Sequence, residues 1–375
     1  MTANLPSHGL QLQSTLAGDG TLRLAVAQAP VIQPGPDQLV VRVEAAPINP
    51  SDLMSLLVSA DPAAGSFDGE VRLQVAPEAV RQRSARVDRP LPVGLGGAGT
   101  VMAAGKDAEH LQGKAVSFLS MASSSFGQYV TISATECAPL PDGVTTRQGA
   151  DVFCNPMTAL AIVEQVRLEG RNALIHTAAA SNLGQMLVRI CREDGIGLVN
   201  VVRRQEHVDL LKSLGAEHVC NSGAPGFEDD LRRAIATTGA TIAFDAIGGG
   251  SSVSGLLKAM EDVAVSQMDF YSSYGSMTPH SVCIYGRLDR TPVVLNSGDY
   301  GMFWDVRHWA MPQTLQQVGA ERAGEMQQRI LGGLKTTFAS HFSHEISLAQ
   351  ALERETMLAY AKLGTGEKYL INPTL

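Results

Sequence analysis

From about residue 151 to residue 294 the sequence alternates short apolar runs with helical periods, and few folds accommodate that alternation. Residues 173–177 (ALIHT) read as a buried strand. Residues 185–194 read as a helix, with Met186, Leu187 and Ile190 on one face and Gly195 just past its end. Residues 198–202 (LVNVV) are the next strand, 206–214 a helix closed by Gly215, and 218–220 the start of a third strand. A helix over 227–236 and a strand over 241–246 (TIAFDA) follow. Strands alternating with helices of this length form βαβ units, which predicts an α/β fold built on a doubly wound parallel sheet.

The flanks read differently. Residues 39–44 alternate apolar and charged side chains, as a half-buried strand does. Short strands follow over 100–104, 114–119 and 127–132, with the glycine-rich 94–99 and the polar 105–113 as turns. From about Lys335 the tail returns to mixed β character, with a helix over 347–361 and a strand over 368–371. A chain of 375 residues exceeds what one core sustains. Three segments are expected: 1–150, 151–334 and 335–375, the middle one a domain of its own.

Composition removes several function classes. The net charge of -8 gives no overall field that would attract nucleic acid or an anionic membrane. The first 22 residues hold no Lys or Arg and no long apolar stretch follows, so no signal peptide, transit peptide or membrane span is expected. Five cysteines (Cys137, Cys154, Cys191, Cys220, Cys283) are scattered, with no C-x-x-C pair. Neither a disulfide framework nor a cysteine-rich zinc site is expected, and the reducing cytoplasm is the simplest compartment.

The turn after residues 173–177 is the first candidate site. It runs Ala178, Ala179, Ala180, Ser181, Asn182, Leu183, Gly184 and then enters a helix. In a doubly wound sheet this strand-to-helix turn faces a dinucleotide pyrophosphate, because small residues admit the ligand to the backbone and helix N–H groups attract anions. The usual G-x-G-x-x-G is absent and only Gly184 stands at its end, so a plain strand–helix connection is the alternative. At the end of the second strand, Arg203 and Arg204 stand where an NAD-binding unit has a carboxylate. Two guanidiniums suit the 2′-phosphate of NADPH; a solvated basic turn is the alternative.

These stretches carry a family resemblance. The run Ala45-Ala46-Pro47-Ile48-Asn49-Pro50-Ser51-Asp52, the turn just described, Asn155-Pro156-Met157-Thr158-Ala159-Leu160, and Leu211–Val219 (LKSLGAEHV) together resemble the medium-chain dehydrogenase/reductase superfamily. More narrowly they resemble its zinc-free quinone oxidoreductase branch and the related 2-enoyl thioester reductases. The resemblance implies a Rossmann domain inserted into a GroES-like β-rich catalytic domain made from both chain ends, with the nicotinamide in a cleft between them.

Zinc members of the superfamily use a cysteine, a histidine and a second cysteine. Here Asn49 stands at the first position, residues 94–99 replace the histidine-bearing run, and only Cys154 falls at the last. One ligand cannot make a three-ligand site, so no metal is expected, and Cys154 reads as a small buried apolar residue. His341 and His344, spaced H-x-x-H, read as structural.

By resemblance, Asn49, Thr158 and Tyr285 are the candidate catalytic residues. Ala180, Ser181, Asn182, Gly184, Arg203, Arg204, Gly248, Gly249 and Gly286 are the candidate cofactor-binding residues. For Asn49 a turn role before Pro50 stands open, for Asp52 a helix cap, and for Tyr285 a core position. Enoyl thioester reductases carry a proton-donating tyrosine soon after the Asn-Pro-Ser-Asp run, and residues 53–65 hold none. The expected activity is therefore NADPH-dependent reduction of a quinone or conjugated C=C bond. A 2-enoyl thioester (CoA or acyl-carrier) reductase and a non-catalytic NADPH-binding protein are the alternatives. The family also implies a homodimer.

Two segments exceed the family's compact form. Residues 65–92 carry Arg72, Arg81, Arg83, Arg86 and Arg89, with Arg81, Arg83 and Arg86 on a helix, readable as a basic lid or as a solvated surface. Residues 267–282 add Phe270, Tyr271 and Tyr274, readable as a cap or a dimer contact. Phe303, Trp304 and Trp309 lie where the family has aromatics near the substrate entrance, or serve as core.

Overall fold

The computed structural model describes residues 5–119 and 124–375. It divides into two compact units, Met1–Cys154 with Arg329–Leu375, and Asn155–Gln328. The sequence reading set the divisions at 150/151 and 334/335. Residues 151–154 instead stay with the first unit, where the Asp151 carboxylate meets Lys368.

In the first unit, period-two burial builds two mainly antiparallel sheets. One has the order Ser66–Phe67, Val71–Gln74, Thr21–Pro30, His8–Leu16, Pro90–Pro92. The other runs Cys137–Pro139, Ala115–Leu119, Gly96–Ala104, Gln38–Pro47, Tyr369–Ile371, His344–Ile346, with Tyr129–Ser133 also paired to Gln38–Pro47. Tyr369–Ile371 brings the chain's end back to its beginning: Leu370 pairs with Pro47 and Ile371 with Ala46. Leu12, Leu24, Val41, Val43, Phe118, Phe126 and Ile371 lie in the shared core.

Three local expectations fail here, each for a packing reason. Residues 94–99 are not simply a turn, since the strand begins at Gly96. A Cβ on Gly99 would lie 1.9 Å from the Arg42 carbonyl oxygen, so the glycines admit the bulged neighbouring strand rather than turn the chain. The helix over 347–361 is broken at Glu353, which is extended (φ −70, ψ 141) between a short 3₁₀ turn, Gln350–Leu352, and the helix Arg354–Ala361. This break lets Leu352, Met357 and Tyr360 all reach the core, with the Tyr360 hydroxyl donating to the Ala351 carbonyl at 2.8 Å. Finally, Arg81 alone of the three arginines lies on the helix Pro77–Gln82; Arg83 caps it and Arg86 ends a 3₁₀ turn. The Arg86 guanidinium donates to the Ser55 carbonyl at 3.0 Å and the Ser14 hydroxyl at 2.9 Å, knitting the segment to the sheet.

The second unit holds six parallel strands: β1 (Ala173–Thr177), β2 (Gly197–Val202), β3 (His218–Asn221), β4 (Ile242–Asp245), β5 (His280–Ile284) and β6 (Trp304–His308). Their order is β3-β2-β1-β4-β5-β6, so the winding reverses between β1 and β4. Helices α1 (Asn182–Asp194), α2 (Gln205–Ser213), α3 (Phe227–Thr238) and α4 (Ser252–Ser266) connect them. Every residue of β1, β4 and β5 is buried, as the continuous apolar runs require of strands covered on both faces. This is the doubly wound parallel sheet that the alternation implies.

Residues 267–282 are tied down from within. Glu261 on α4 is buried; it accepts from the Ser276 N–H at 2.7 Å and the Ser276 hydroxyl at 2.5 Å, and meets His280 Nε2 at 2.9 Å. Phe270, Tyr271 and Tyr274 remain exposed.

Candidate active site

Eleven of the twelve sequence-predicted site residues belong to the second unit, and ten of these eleven sit at or just beyond the carboxyl ends of its strands. In an open α/β sheet that edge, at the point where the order reverses, is where ligands bind.

The chain leaves β1 through Ala178, whose φ of 50 is left-handed, an unusual position for a residue with a Cβ. Ala179 and Ala180 are buried, and Ser181 is the N-cap of α1, its hydroxyl accepting from the Gly184 N–H at 3.2 Å. The helix therefore starts at Asn182, three residues before the apolar period begins, because the cap and not the periodicity sets its start. Gly184 is required by the protein itself: a Cβ there would lie 2.1 Å from the Ala179 carbonyl oxygen.

Across the reversal, Asp245 ends β4 with no exposed surface. Its carboxylate accepts from the Thr177 hydroxyl at 2.6 Å, the Gly248 N–H at 2.9 Å and the Ile247 N–H at 3.2 Å. The Thr177 oxygen in turn accepts from the Ala246 N–H at 2.9 Å. Sequence reasoning passed over Asp245; its signal was a lone carboxylate ending an otherwise apolar strand. Gly248 has φ 70, and a Cβ on it would lie 2.2 Å from the Gly286 carbonyl oxygen; one on Gly286 would lie 2.5 Å from that of Ala246. A Cβ on Gly249 would lie 2.7 Å from the Asp289 carbonyl oxygen. These glycines let the turns after β4 and β5 touch, a role in the protein's own packing.

Tyr285, just past β5, meets His176 of β1: Tyr285 Oη and His176 Nε2 are 2.7 Å apart and the rings stack. Burial drives the His176 imidazole down to about 3 and the Tyr285 phenol well above its usual range, so both are neutral at ordinary pH. Trp309 packs edge-on against Tyr285 and Phe244. Its indole N–H donates to Thr314 at 3.0 Å, which donates to Gln165 at 2.7 Å. Trp304 packs edge-on against Tyr300, and Phe303 is exposed. Thr158, in the helix Asn155–Leu168, is half-buried, with its hydroxyl 3.7 Å from the Met311 sulfur.

Arg203 and Arg204 are both exposed beyond β2. They are not equivalent: Arg204 lies 3.0 Å from Glu206 and 2.8 Å from His207 Nε2.

Asn49 is the one predicted site residue in the first unit. It is buried and is the N-cap of the helix Pro50–Leu57. Its N–H donates to Asp52 at 2.8 Å, and the other Asp52 oxygen accepts from the Leu95 N–H at 2.9 Å. Asp52 is thus a cap, and it also joins the Asn49 turn to the loop before Gly96. Burial pushes its carboxyl up to about 7; the nearby Asp151 charge adds to the rise and Lys368 opposes it. Cys154 lies among Asp151, Asp52, Lys368 and Ser51, and burial raises its thiol well above the ordinary range. Lys368 forms an ion pair with the buried Asp151 and lies over the Phe342 ring. Sequence reasoning missed this pair, whose members are 217 residues apart. Among the described residues, no three His, Cys, Asp or Glu side chains are grouped to hold a metal ion.

A parallel sheet that reverses its order beside a capped helix defines a dinucleotide-binding fold. Known proteins narrow the class. Residues 183–264 match the family model of zinc-binding dehydrogenases, within the second unit. A candidate NADPH:quinone reductase from Mesorhizobium loti superposes with a TM-score of 0.74 at 25% identity, over 99% of this chain and all of that one. Over 272 residues the chain is 28% identical to a mycocerosic acid synthase-like polyketide synthase of Mycobacterium tuberculosis, covering 71% of this chain and 12% of that protein. It is 24% identical over 203 residues to the mitochondrial enoyl-[acyl-carrier-protein] reductase of Caenorhabditis elegans, covering 53% of this chain and 52% of that one. The chain thus spans a small part of the synthase and about half of the reductase. Fold and matches together make the chain similar to medium-chain dehydrogenases/reductases, among them quinone reductases and an enoyl reductase.

Proposed function

We propose that this chain reduces an electron-poor quinone or conjugated C=C bond with hydride from NADPH, without zinc. The observation that carries the reading is the switch-point site, where the Ser181-capped helix, the Asp245-clamped turn and Arg203 stand at one edge of one sheet. Those groups fit a dinucleotide: three alanines leave the backbone open, the helix start suits a pyrophosphate, and an exposed guanidinium suits a 2′-phosphate. When bound, NADPH supplies the hydride and leaves as NADP⁺.

The chain's own residues bind and orient. His176 holds the Tyr285 ring in place, and Thr158 with Trp309 shapes the same unit. The first unit's donor set supports zinc independence: Asn49 offers an amide, only Cys154 of the expected zinc positions offers a thiol, and both Asp52 oxygens already accept backbone N–H groups. Without a Lewis acid the acceptor must already be electron-poor, which quinones and enones are. Similarity to an enoyl reductase favours a second reading, reduction of 2-enoyl thioesters, for which residues 53–65 supply no tyrosine.

The strand Trp304–His308 lies at the sheet's edge beside exposed Met302 and Phe303, which supports a homodimer through that edge. No helix among the described residues is long and apolar enough to cross a membrane, and a cytoplasmic location is the proposal. The test is NADPH oxidation against benzoquinones, naphthoquinones, short enones and enoyl-CoA. Turnover of quinones or enones supports the reading; thioester turnover alone favours the second, and tight NADPH binding without turnover defeats both.

A further inference from the structure

We propose that His176 and Asn200 hold one buried water between them, and that the hydrogen-bonded chain it completes turns the Tyr285 hydroxyl proton inward, so that the Tyr285 oxygen meets a ligand only as an acceptor. The part played toward a ligand rests on the NADPH reading above. The water and the proton positions stand on the second unit's own side chains.

Two mainly apolar strands each bury a polar side chain: His176 in β1 and Asn200 in β2. The two residues are register partners in adjacent parallel strands, so their side chains leave the sheet on one face. Phe244 pairs with His176 and Cys283 with Phe244, which puts Tyr285, two residues on, on that face as well. Tyr285 Oη lies 2.7 Å from His176 Nε2, and Asn200 Nδ2 donates to the His218 carbonyl at 3.1 Å. That leaves His176 Nδ1 and Asn200 Oδ1. Both are buried, and among the described residues neither has a hydrogen-bond partner. Buried polar atoms left unpaired are costly, and two of them on neighbouring side chains point to one shared partner.

Donor and acceptor chemistry sets the direction of each bond. The His218 carbonyl only accepts, so the Asn200 amide gives it the nitrogen and keeps its oxygen for another donor. Burial keeps His176 neutral, so one ring nitrogen carries a proton and the other does not. With an acceptor as its register partner, the proton belongs on Nδ1. A water there accepts from Nδ1–H and donates to Oδ1, which gives it the two polar partners a buried water requires. Nε2 is then the bare nitrogen, and the Tyr285 hydroxyl must donate to it. The chain runs from Tyr285 through His176, the water and Asn200 to the His218 carbonyl. Its outer end lies just past β5, at the carboxyl edge of the sheet. A ligand that meets the Tyr285 hydroxyl has to bring its own N–H or O–H. Tyr285 thus orients a ligand and does not supply a proton to it.

The experiment is proton and nitrogen NMR on protein with nitrogen-labelled histidine, the His176 signals being assigned by their loss in His176→Phe. Wild type is expected to carry the ring proton on Nδ1, with a long-lived water cross-peak to it, and to show a bare Nε2 correlated with the Tyr285 hydroxyl proton. Asn200→Leu, checked for folding by its thermal melt, removes the acceptor at similar volume. It is expected to lose the water cross-peak and to move the ring proton to Nε2, a shift that a merely structural Asn200 would not cause. NADP⁺ is then titrated into wild type, and the hydroxyl proton is expected to keep its correlation with Nε2 in the complex. A wild-type proton on Nε2, or no water cross-peak at Nδ1–H, overturns the proposal whether or not the Leu variant folds. A folded Asn200→Leu with its ring proton still on Nδ1 also overturns it. A hydroxyl proton that leaves Nε2 when NADP⁺ binds overturns the acceptor role. If NADP⁺ does not bind, the NADPH reading fails and the ligand role with it, while the spectra of the free protein still decide the water.

Discussion

The Thr177 hydroxyl donates to the Asp245 carboxylate at 2.6 Å, joining the ends of the first and fourth strands where the sheet reverses its order. Asp245 has no exposed surface and also accepts from the N–H groups of Ile247 and Gly248. Removing it strands buried donors, each worth about 1–3 kcal/mol. Asp245→Ala is expected to lower unfolding free energy by roughly 3 kcal/mol or more, and Thr177→Val by about 1 kcal/mol, in urea melts. Unchanged midpoints would remove the clamp from the account.

Backbone strain at the first turn gives a stabilising prediction. Ala178 holds φ 50, a conformation that costs a residue with a Cβ about 1 kcal/mol or more. Ala178→Gly should therefore raise the melting temperature. By contrast Gly286→Ala, whose Cβ would lie 2.5 Å from the Ala246 carbonyl oxygen, should lower it and weaken NADPH binding together. A Gly286→Ala protein as stable as wild type would show that the two turns do not need their close approach.

Cofactor preference separates the two arginines. Arg204 is already engaged by Glu206 and His207, whereas Arg203 is exposed. Arg203→Ala is expected to weaken NADPH binding by about 1–3 kcal/mol while leaving NADH affinity alone, the order for charged hydrogen bonds. Arg204→Ala should cost less. Isothermal titration of both dinucleotides decides; equal losses for NADH and NADPH would take the 2′-phosphate contact away from Arg203.

Two buried groups titrate with opposite consequences for stability. His176 is held down to about 3, so below the ordinary histidine range the unfolded chain gains a proton that the folded chain refuses. Its contribution is intact above about pH 6.5 and is lost as pH falls toward 3. Asp52 is raised to about 7, so between the ordinary carboxylate range and 7 the folded chain holds the extra proton. Its share of stability is present at low pH and declines as pH rises through about 7. Urea melts of Asp52→Asn and wild type across this range should diverge with pH. Parallel curves would show that Asp52 titrates normally. Nitrogen NMR should find His176 neutral at pH values where exposed histidines are charged.

Much of the second unit was readable because burial on both faces of a parallel sheet forces long apolar runs, as in residues 173–177 and 198–202. The proposed cofactor-side positions came largely from the family resemblance, and each lies just beyond a strand. The groups that hold those turns were harder to see. Thr177 and Asp245 are 68 residues apart, and His176 and Tyr285 are 109 apart, so no local period joins them. In the first unit, residues 94–99 looked like a turn because glycine signals both turning and close strand contact; the Arg42 carbonyl decides for contact. The break at Glu353 had a signal that was passed over: Leu348, Ala351 and Leu352 share one helical face, and Met357 and Tyr360 fall off it.

The central claim is hydride transfer from NADPH to an electron-poor acceptor without zinc, and the direct test is turnover by metal-stripped protein. NADPH absorbance is followed with benzoquinone, naphthoquinone and a short enone, before and after exhaustive chelation. The account predicts NADPH loss matched by reduced product, at a rate that neither chelator nor added zinc changes. No turnover of any of these acceptors by protein that binds NADPH, or activity that returns only with zinc, would contradict it.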